Sequence, residues 1–422
     1  MIFKELIKRK RDGQKLSSEE IDWIVKEFTS GKIPSYQMSA FLMAIYFQGL
    51  DDQETLALTK SMLESGETIT IPSDLPLVDK HSTGGIGDKV SLILSPVLAE
   101  MGLNVAMLSG RALGFTGGTA DKLESTGMKV ELTPEEIEES VKRFGFSIST
   151  QTENVAPADR KIYALRDATA TVESIPLIVA SILSKKLAIN TESIVFDVKV
   201  GTGAFMKTLK DAEKLAQGLV NVSKLYGKKA AALITEMSQP LGEYAGNALE
   251  VKETLSALSG EISPDLLEIV TSLCGSLYQL SDLGTFECGK NLAKEVILSG
   301  KAYERFVNWI EFWGGSLNLP TAKNIIKVKS EKEGWISNIN GERLGYLIIE
   351  MGGGRKKADD AIDYSVGLRF FKKIGDFVKK GEVIGEIYCS EIKHEYINSF
   401  LSAYEFSSSP VDSPNLIKKS IV

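Results

Sequence analysis

The sequence predicts an α/β protein with a helical domain, a large α/β domain with a mixed, mostly parallel sheet, and a C-terminal α+β subdomain. Three observations lead to this prediction. Residues 1–66 carry apolar side chains at helical spacing, strands and helices alternate from residue 75, and short strands with Gly- and Lys-rich turns follow residue 330. A chain of 422 residues exceeds the size at which a single core stops growing, so several domains are expected.

The N-terminal segment has the pattern of amphipathic helices. Ile21 and Ile24 fall on one helical face, and Ser17 with Glu20 has the form of a capping box at a helix start. A second helical stretch is predicted at 174–187.

The next segment alternates strands with glycine-bearing loops and helices. A buried strand is predicted at 75–79, and it leads into the glycine-rich loop Lys80–Asp88 and an apolar helix at 90–101. A second strand, at 104–108, leads into another glycine-bearing loop at 109–119. Further elements of this part are predicted as a helix from residue 133 and strands at 194–198 and 231–234.

The C-terminal part is predicted as a separate, smaller α+β unit. Its strands are predicted at 334–337, 344–350, 375–378 and 383–387. No internal repeat of 20 to 50 residues or low-complexity tract is visible.

The composition of the chain argues against several classes of function. The net charge of −7 argues against a general nucleic-acid or membrane-surface role, because neither anionic partner would be attracted overall. No apolar run approaches the roughly 20 residues that cross a bilayer, and the first residues lack the apolar core of a secretory signal. Cys274, Cys288 and Cys389 are scattered, and two histidines cannot build a His-rich metal site. We therefore expect a cytoplasmic protein, and a small anionic ligand remains compatible with its charge.

The loop Lys80–Asp88 has the features of an anion site. A strand that ends in glycines and opens a helix aims several backbone N–H groups at one point, beside the positive end of the helix dipole. Lys80, Ser82 and Ser91 add a positive charge and hydroxyl donors. Three glycines alone would equally fit a tight turn, and the loop is neither a P-loop nor a GxGxxG motif. The second loop, with its own Gly, Ser and Thr, favours a phosphate site formed by two strand ends.

A second group of polar residues suits a planar, hydrogen-bonding ligand. Ser181 and Lys185 are four residues apart and so share a helix face, which on its own is more often a solvated face. Arg166 and Lys185 together would instead bind the carbonyl oxygens of such a ligand, beside Tyr163. His81 in the first loop is a candidate general acid, although a single His is more often structural.

These residues stand in long motifs that resemble those of the thymidine and pyrimidine-nucleoside phosphorylases over essentially the whole chain. The motifs are DKHSTGGIGDKVSL at 79–92, SGRALGFTGGTADKLES at 109–125, YALRDATATVESIPLIVASILSKKLA at 163–188, FDVKVGTGAFM at 196–206, MSQPLGEYAGNALEVKE at 237–253 and GGGRKKADDAIDYSVG at 352–367. The resemblance implies a helical domain from 1–66 and about 160–190, an α/β domain from 70–158 and 191–329, and a C-terminal domain from 330–422. It also implies a homodimer that pairs through the helical domain.

The resemblance further implies a role for each candidate residue. Phosphate would be held by Lys80, Ser82, Ser91, Ser109 and Thr119. The pyrimidine would be held by Tyr163, Arg166, Ser181 and Lys185, in a pocket lined by Leu113, Val172, Ile178 and Phe205, with His81 near the base and sugar. The implied reaction is reversible phosphorolysis, in which inorganic phosphate, the co-substrate, attacks C1′ of the nucleoside with inversion. Thymidine would give thymine and 2-deoxy-α-D-ribose 1-phosphate, uridine and deoxyuridine would be further substrates, and no cofactor is implied.

Three positions vary among members of the family, and two of them depart from the usual pattern here. Phe115 replaces the His that many relatives have in the second loop, which leaves the sugar and base preference open. Met107 stands where thymidine-preferring members have Met and broad-specificity members often have Lys, which favours 2′-deoxyribonucleosides. Lys89 replaces a Thr of potassium-binding relatives, whose other ion-site positions match Gly87, Leu241, Tyr244 and Glu253. We expect the Lys89 ammonium to pair with Glu253 and to remove any potassium requirement, so that no metal is needed.

Two other functions remain open at this point. An anthranilate-type phosphoribosyltransferase shares the layout of a helical and an α/β domain. It would need acidic magnesium ligands near the pyrophosphate, and the Arg166, Ser181 and Lys185 group favours phosphorolysis instead. A non-catalytic nucleoside or phosphate sensor could keep the same fold, but the presence of both Lys80 and His81 argues against it.

Overall fold

The computed structural model describes residues 1–112, 114–355, 357 and 360–422. It begins with a bundle formed by α1 (Phe3–Arg11), α2 (Ser18–Thr29), α3 (Ser35–Gln48) and α4 (Asp52–Leu63). The predicted capping box on α2 is present: the Ser17 hydroxyl accepts from the Glu20 N–H, and the Glu20 carboxylate accepts from the Ser17 N–H. The bundle has its own apolar core, which includes Phe3, Ile24 and Phe41.

The chain then alternates strands and helices. The elements are β1 (Leu77–Ser82), α5 (Val90–Glu100), β2 (Asn104–Ser109), α6 (Thr119–Glu124), α7 (Pro134–Phe144) and β3 (Phe146–Thr150). The predicted first loop begins too early, because Lys80, His81 and Ser82 belong to β1 and pair in parallel with residues 195–197. The neighbouring strand extends the hydrogen-bonded ladder as far as Ser82, and a pairing partner so distant in sequence leaves no local signal.

Two helices return to the bundle, α8 (Pro157–Ala168) and α9 (Ile175–Lys186). Ala158 and Ile162 from α8 and Leu177 and Ala180 from α9 complete the bundle core. The opposite face of α9 supplies apolar residues, Val179 and Leu183, to the core beneath the sheet. Helix α9 therefore joins the bundle to the α/β part of the molecule.

The parallel part of the sheet is completed by β4 (Ser193–Val200) and β5 (Lys229–Glu236), which flank helix α10 (Leu209–Tyr226). The strand order is β5-β4-β1-β2-β3, and all these pairs are parallel. Because β2 and β3 lie on one side of β1 while β4 and β5 lie on the other, the carboxyl end of β1 is a topological switch point, where ligands bind in open α/β sheets.

A layer of helices covers the other face of this sheet. After the short strand β6 (Tyr244–Ala245) come α11 (Asn247–Leu258), α12 (Pro264–Leu280), α13 (Phe286–Ser299) and α14 (Lys301–Phe312). Their apolar residues share one core with α5, β1 and β2. None of the helices in the described part of the chain is long and apolar enough to span a membrane.

The C-terminal part contains two small antiparallel sheets. Its elements are β7 (Asn324–Lys329), β8 (Gly334–Ile339), α15 (Gly341–Glu350), β9 (Gly367–Phe370), β10 (Phe377–Val378), β11 (Val383–Cys389), α16 (His394–Leu401), β12 (Tyr404–Ser407) and β13 (Ile417–Ile421). The sheet orders are β10-β8-β12 and β6-β9-β11-β7. The final strand, β13, leaves this unit and pairs antiparallel with β5. The predicted mixed, mostly parallel main sheet and the α+β C-terminal unit are thus confirmed.

One predicted strand of this unit, at 344–350, is wrong, because the segment lies in helix α15. The Asn340 side chain caps this helix by accepting a hydrogen bond from the Arg343 N–H. Leu344 and Leu347 are three residues apart and both fully buried, which is helical spacing that a short apolar run concealed.

Candidate functional site

A cavity of about 770 Å³ lies between helices α8 and α9 and the carboxyl ends of β1 and β2. Its volume is in the range of small-molecule sites. Every described residue that the sequence assigned to phosphate, base or sugar lines it: Lys80, His81, Ser82, Ser91, Ser109, Thr119, Tyr163, Arg166, Val172, Ile178, Ser181, Lys185 and Phe205. Leu113, predicted for the base pocket, lies outside the described residues. The fold thus brings the two predicted groups of polar residues to opposite walls of one cavity.

The strand-end wall contains Lys80, which is only 1% exposed. Its Nζ donates to Ser91 Oγ at 3.2 Å and lies 3.5 Å from Asp197 Oδ2. Asp197 also pairs with Lys199 at 2.7 Å and accepts a hydrogen bond from Thr235. The Lys80 ammonium is therefore held from behind by a network on β4 and β5.

The turn after β1 is ordered by a second ionic network. The Ser82 hydroxyl donates to the Asp88 carboxylate and accepts from the Gly84 N–H at 3.1 Å. Burial alone would raise the pKa of Asp88, but nearby Lys199, Lys80 and Lys122 hold it below its ordinary value. Lys122 in turn pairs with Glu250 at 2.8 Å. The Asp88 carboxylate is therefore ionised, and it accepts the hydrogen bond from the Ser82 hydroxyl.

The second loop is held by close backbone packing. Asp121 on α6 accepts from the Ala112 N–H at 2.7 Å and pairs with Arg355 at 2.8 Å. A Cβ at Gly118 would lie 2.3 Å from the Ala112 nitrogen, so only glycine fits there. Ser109 ends β2 and Thr119 opens α6, so this packing fixes both hydroxyl-bearing residues at the cavity wall.

Phe115 faces away from this cavity. Its ring packs against Tyr346 with a centroid distance of 5.8 Å, and Lys207 Nζ lies 5.0 Å from the ring centroid. It belongs to the apolar core of the C-terminal unit rather than to the cavity lining. The aromatic replacement therefore attaches the second loop to that unit.

The helical wall carries Arg166, which is 1% exposed. Its guanidinium donates to the backbone oxygens of Thr171, Val172 and Leu177 at 3.4, 2.6 and 3.1 Å. These contacts use three of its five N–H groups. The Tyr163 ring lies 5.6 Å from the guanidinium carbon. The segment between α8 and α9 therefore fixes the direction of this side chain.

Lys185 and Ser181 belong to the cavity wall and not to a solvated helix face. Lys185 Nζ donates to Ser181 Oγ at 2.9 Å and to Asp159 Oδ2 at 2.6 Å. The adjacent Lys186 points differently, toward Asp79, and also donates to the backbone oxygens of β1 and β2, at Lys80 and Leu108. Of these two consecutive lysines, Lys185 therefore contacts the helical wall and Lys186 contacts β1 and β2.

Sequence reasoning missed Asp159, Lys186 and Asp197. For Asp159 a signal existed, because residues 159, 163 and 166 stand at i, i+4 and i+7 and share one face of α8. For Asp197 and Lys186 there was none, since their partners come from strands far away in sequence.

His81 was predicted as a candidate general acid. Burial and the nearby ammonium groups of Lys186, Lys80 and Lys185 hold its pKa well below the ordinary value. The imidazole is therefore uncharged at neutral pH, and it can donate one N–H hydrogen bond but is not an imidazolium acid.

The Lys89 ammonium lies where the potassium-site equivalents converge. Its Nζ donates to the backbone oxygens of Leu241 at 2.8 Å and Tyr244 at 2.9 Å, and it forms the expected ion pair with Glu253. A Cβ at Gly87, whose φ is +77°, would lie 2.5 Å from the Leu241 oxygen, so the turn packs tightly around the ammonium. These residues do not fit a metal cation, because the ammonium occupies their oxygen ligands.

Comparisons with known proteins agree with this architecture. Residues 4–66 match the helical bundle domain of the glycosyl transferase family, residues 74–303 match its a/b domain, and residues 335–407 match the pyrimidine nucleoside phosphorylase C-terminal domain. The chain is 43% identical over 426 residues to a pyrimidine-nucleoside phosphorylase of Geobacillus stearothermophilus, covering 98% of each chain. It is 43% identical over 396 residues to one of Bacillus subtilis, covering 92% of each.

A solved structure shares the fold at low sequence identity. Anthranilate phosphoribosyltransferase from Thermus thermophilus superposes with a TM-score of 0.60 at 20% identity, covering 73% of this chain and 98% of that one. This likeness shows the fold alone. The full-length relatives and the matched domains together show that the chain belongs to the pyrimidine-nucleoside phosphorylase family of glycosyl transferases.

Proposed function

We propose that the chain catalyses the reversible phosphorolysis of pyrimidine nucleosides, with thymidine as a favoured substrate. The observation that carries this proposal is the cavity itself, in which a lysine- and hydroxyl-lined strand-end wall faces Arg166 and Lys185 on the helical wall. The names of the full-length relatives support the same reaction. Met107 lines the cavity as well, which supports a preference for 2′-deoxyribonucleosides.

Phosphate binds at the strand ends in this proposal. Lys80 supplies the positive charge, and Ser82, Ser91, Ser109 and Thr119 supply hydroxyl donors. Binding turns the Ser82 proton from Asp88 to the anion. Bound phosphate then attacks C1′ of the nucleoside, on the face opposite to the departing base, and yields the α-sugar 1-phosphate.

The base leaves toward the helical wall. As the bond from C1′ to the base nitrogen breaks, negative charge develops on the pyrimidine ring and its carbonyl oxygens. Arg166 and Lys185 are fixed before the reaction, so their remaining N–H groups can stabilise this charge without reorganisation. His81 acts as a neutral hydrogen-bond donor near the base and sugar. Because phosphate and base are held by different walls, we propose that the walls close together during turnover.

We propose further that the protein is a cytoplasmic homodimer that needs no potassium ion and no cofactor. The exposed apolar residues of α3, Tyr36 at 74% and Phe47 at 75% exposure, support pairing through the helical bundle. The Lys89 ammonium supports independence from potassium, because it already supplies a positive charge to the carbonyls and carboxylate of that turn.

One assay separates this proposal from the alternatives. The protein is incubated with thymidine or uridine, with and without phosphate, and free base is measured. Release that requires phosphate is the expected result. No release with either nucleoside would contradict the proposal, and formation of phosphoribosyl anthranilate from anthranilate and phosphoribosyl pyrophosphate would favour the transferase. Nucleoside binding without either reaction would favour a sensor.

A further inference from the structure

Lys185 and Lys186 are neighbours on α9, but they use their N–H groups differently. An ammonium has three N–H groups. Lys186 donates to three acceptors of the protein, at 3.0 Å (Asp79), 3.2 Å (Lys80 O) and 2.9 Å (Leu108 O). Lys185 donates to two, Asp159 and Ser181, and its third N–H has no acceptor in the described part of the chain. Since Lys185 lines the cavity, this third N–H is available to a ligand there.

Asp159 is an unusual carboxylate for a residue needed only by the fold. It is 5% exposed, and burying a carboxylate is costly unless it is well paired. Its Oδ2 accepts from Lys185, whereas its buried Oδ1 has no hydrogen-bond partner among the described residues. A carboxylate buried to support the fold would be expected to use both oxygens. Among the described residues, this one forms a hydrogen bond and an ion pair with a single side chain, Lys185, which belongs to the cavity wall.

The backbone delivers Asp159 to this place by a constrained entry into α8. Ala156, the residue before the helix, has a positive φ of 46°, and Pro157 fixes the first turn. A Cβ at Gly66 would lie 2.1 Å from the Asn154 oxygen and 2.7 Å from the Ala156 nitrogen. The segment before α8 therefore packs directly against the backbone of Gly66, just after α4. A strained residue at this entry is consistent with a position set by function.

We propose that Asp159 is a positioning residue for Lys185 in the phosphorolysis proposed above, on which this inference rests. Together with Ser181 it fixes two N–H groups of the ammonium and thereby directs the third at the base carbonyl. Its negative charge also offsets the repulsion between the Lys185 ammonium and the nearby cations Arg166 and Lys186. The charged and titratable groups near the pair are Tyr163 and Arg166 on α8, Lys186 on α9 and His81 on β1.

The test uses Asp159→Asn, which keeps the shape and removes the charge, and Asp159→Glu, which keeps the charge and changes the distance. The control is Asp282→Asn, because Asp282 is also the carboxylate of a lysine pair, with Lys229, but its side chain is 81% exposed. Asn is also well tolerated at its positive φ of 58°. Thermal unfolding, kcat and both KM values are measured for the wild type and the three variants.

For Asp159→Asn we expect kcat/KM for thymidine to fall by about 10²-fold at pH 7, because the Lys185 ammonium loses its alignment with the base. KM for phosphate should stay unchanged, because the phosphate site is not altered. The loss should fall mainly on kcat and less on KM for thymidine, because the misdirected N–H group is needed most where charge develops on the base. Asp159→Glu should recover part of the lost kcat, because it keeps the negative charge beside Lys185. The control variant should match the wild type throughout.

Several results would overturn the inference. An unchanged kcat in Asp159→Asn, or a loss confined to KM for phosphate, would contradict it. So would an Asp159→Asn protein that unfolds near the assay temperature, because the carboxylate would then serve the fold. A wild type that releases no base contradicts the proposed function alone, and calorimetric binding of uracil at pH 7 then decides. Weaker binding by Asp159→Asn supports the positioning role, and unchanged binding refutes it.

Discussion

The two walls of the cavity use charge in different ways. Behind the strand ends, four buried cations are held by side chains of the protein: Lys80 donates to Ser91, and Lys122, Lys199 and Lys186 form ion pairs with Glu250, Asp197 and Asp79. On the helical wall, Lys185 and Arg166 keep N–H groups for a ligand after their protein contacts are made. Substitution of the buried cations behind the strand ends should therefore lower the stability of the fold. Substitution of the donors on the helical wall should mainly lower turnover.

The strongest test of this difference is Lys185→Ala. Removing one fixed donor from a site of developing charge lowers turnover by about 10² to 10³-fold. The melting temperature should fall only slightly although Asp159 loses its lysine partner, because both residues line the cavity and shortening Lys185, whose side chain is 25% exposed, opens the carboxylate to water. Steady-state kinetics with thymidine and thermal unfolding check the two halves of this prediction. Full activity in the variant would remove Lys185 from the mechanism.

The matched change one residue along the chain is Lys186→Met. This variant leaves Asp79 without its lysine partner in the interior, and breaking a buried ion pair from one side costs about 3 kcal/mol of unfolding free energy. Equilibrium urea unfolding measures the loss. If Lys186→Met were as stable as Lys185→Ala, the proposed division between the two walls would be wrong.

The same division explains what the sequence could and could not predict. Local patterns predicted the capping box at Ser17, the helix from residue 133, the alternating strands and helices, and the motifs of the cavity. Features fixed by distant parts of the chain were missed. The extent of β1 depends on pairing with β4, and the direction of Phe115 depends on Tyr346 in another unit. The Asp197 network behind Lys80 likewise joins residues more than 100 positions apart.

Lys89 gives an intermediate case, in which we propose that a cation at the start of α5 takes the place of a bound ion. In wild-type protein, exchange of potassium for sodium should leave activity and melting temperature unchanged. Lys89→Thr removes the ammonium from Leu241, Tyr244 and Glu253 and leaves that buried carboxylate unpaired, so stability should fall by about 3 kcal/mol in sodium. Potassium should restore part of the loss, because the same oxygens can then hold the ion. Thermal unfolding in the two salts decides, and a wild type that requires potassium would refute the prediction.

The smallest expected effect concerns His81, which lies between the two walls. Burial and the ammonium groups of Lys186, Lys80 and Lys185 keep its folded-state pKa below the unfolded value of about 6.5. Above that pH neither state binds the proton, so the group leaves stability unchanged. As the pH falls below 6.5, the unfolded chain binds a proton at His81 that the folded protein does not bind. The free energy of unfolding then declines by up to about 1.4 kcal/mol per pH unit.

Comparison with His81→Asn isolates this contribution, because the other histidine, His394, is present in both proteins. The unfolding free energy of the wild type minus that of the variant should be constant above pH 7. It should decrease as the pH falls from 6.5 to 5. Added phosphate should reduce the decline, since an anion at the strand ends favours the charged imidazole. A difference that is independent of pH would show that His81 is free to protonate, and the strand-end cations would then not control the charge on this side chain.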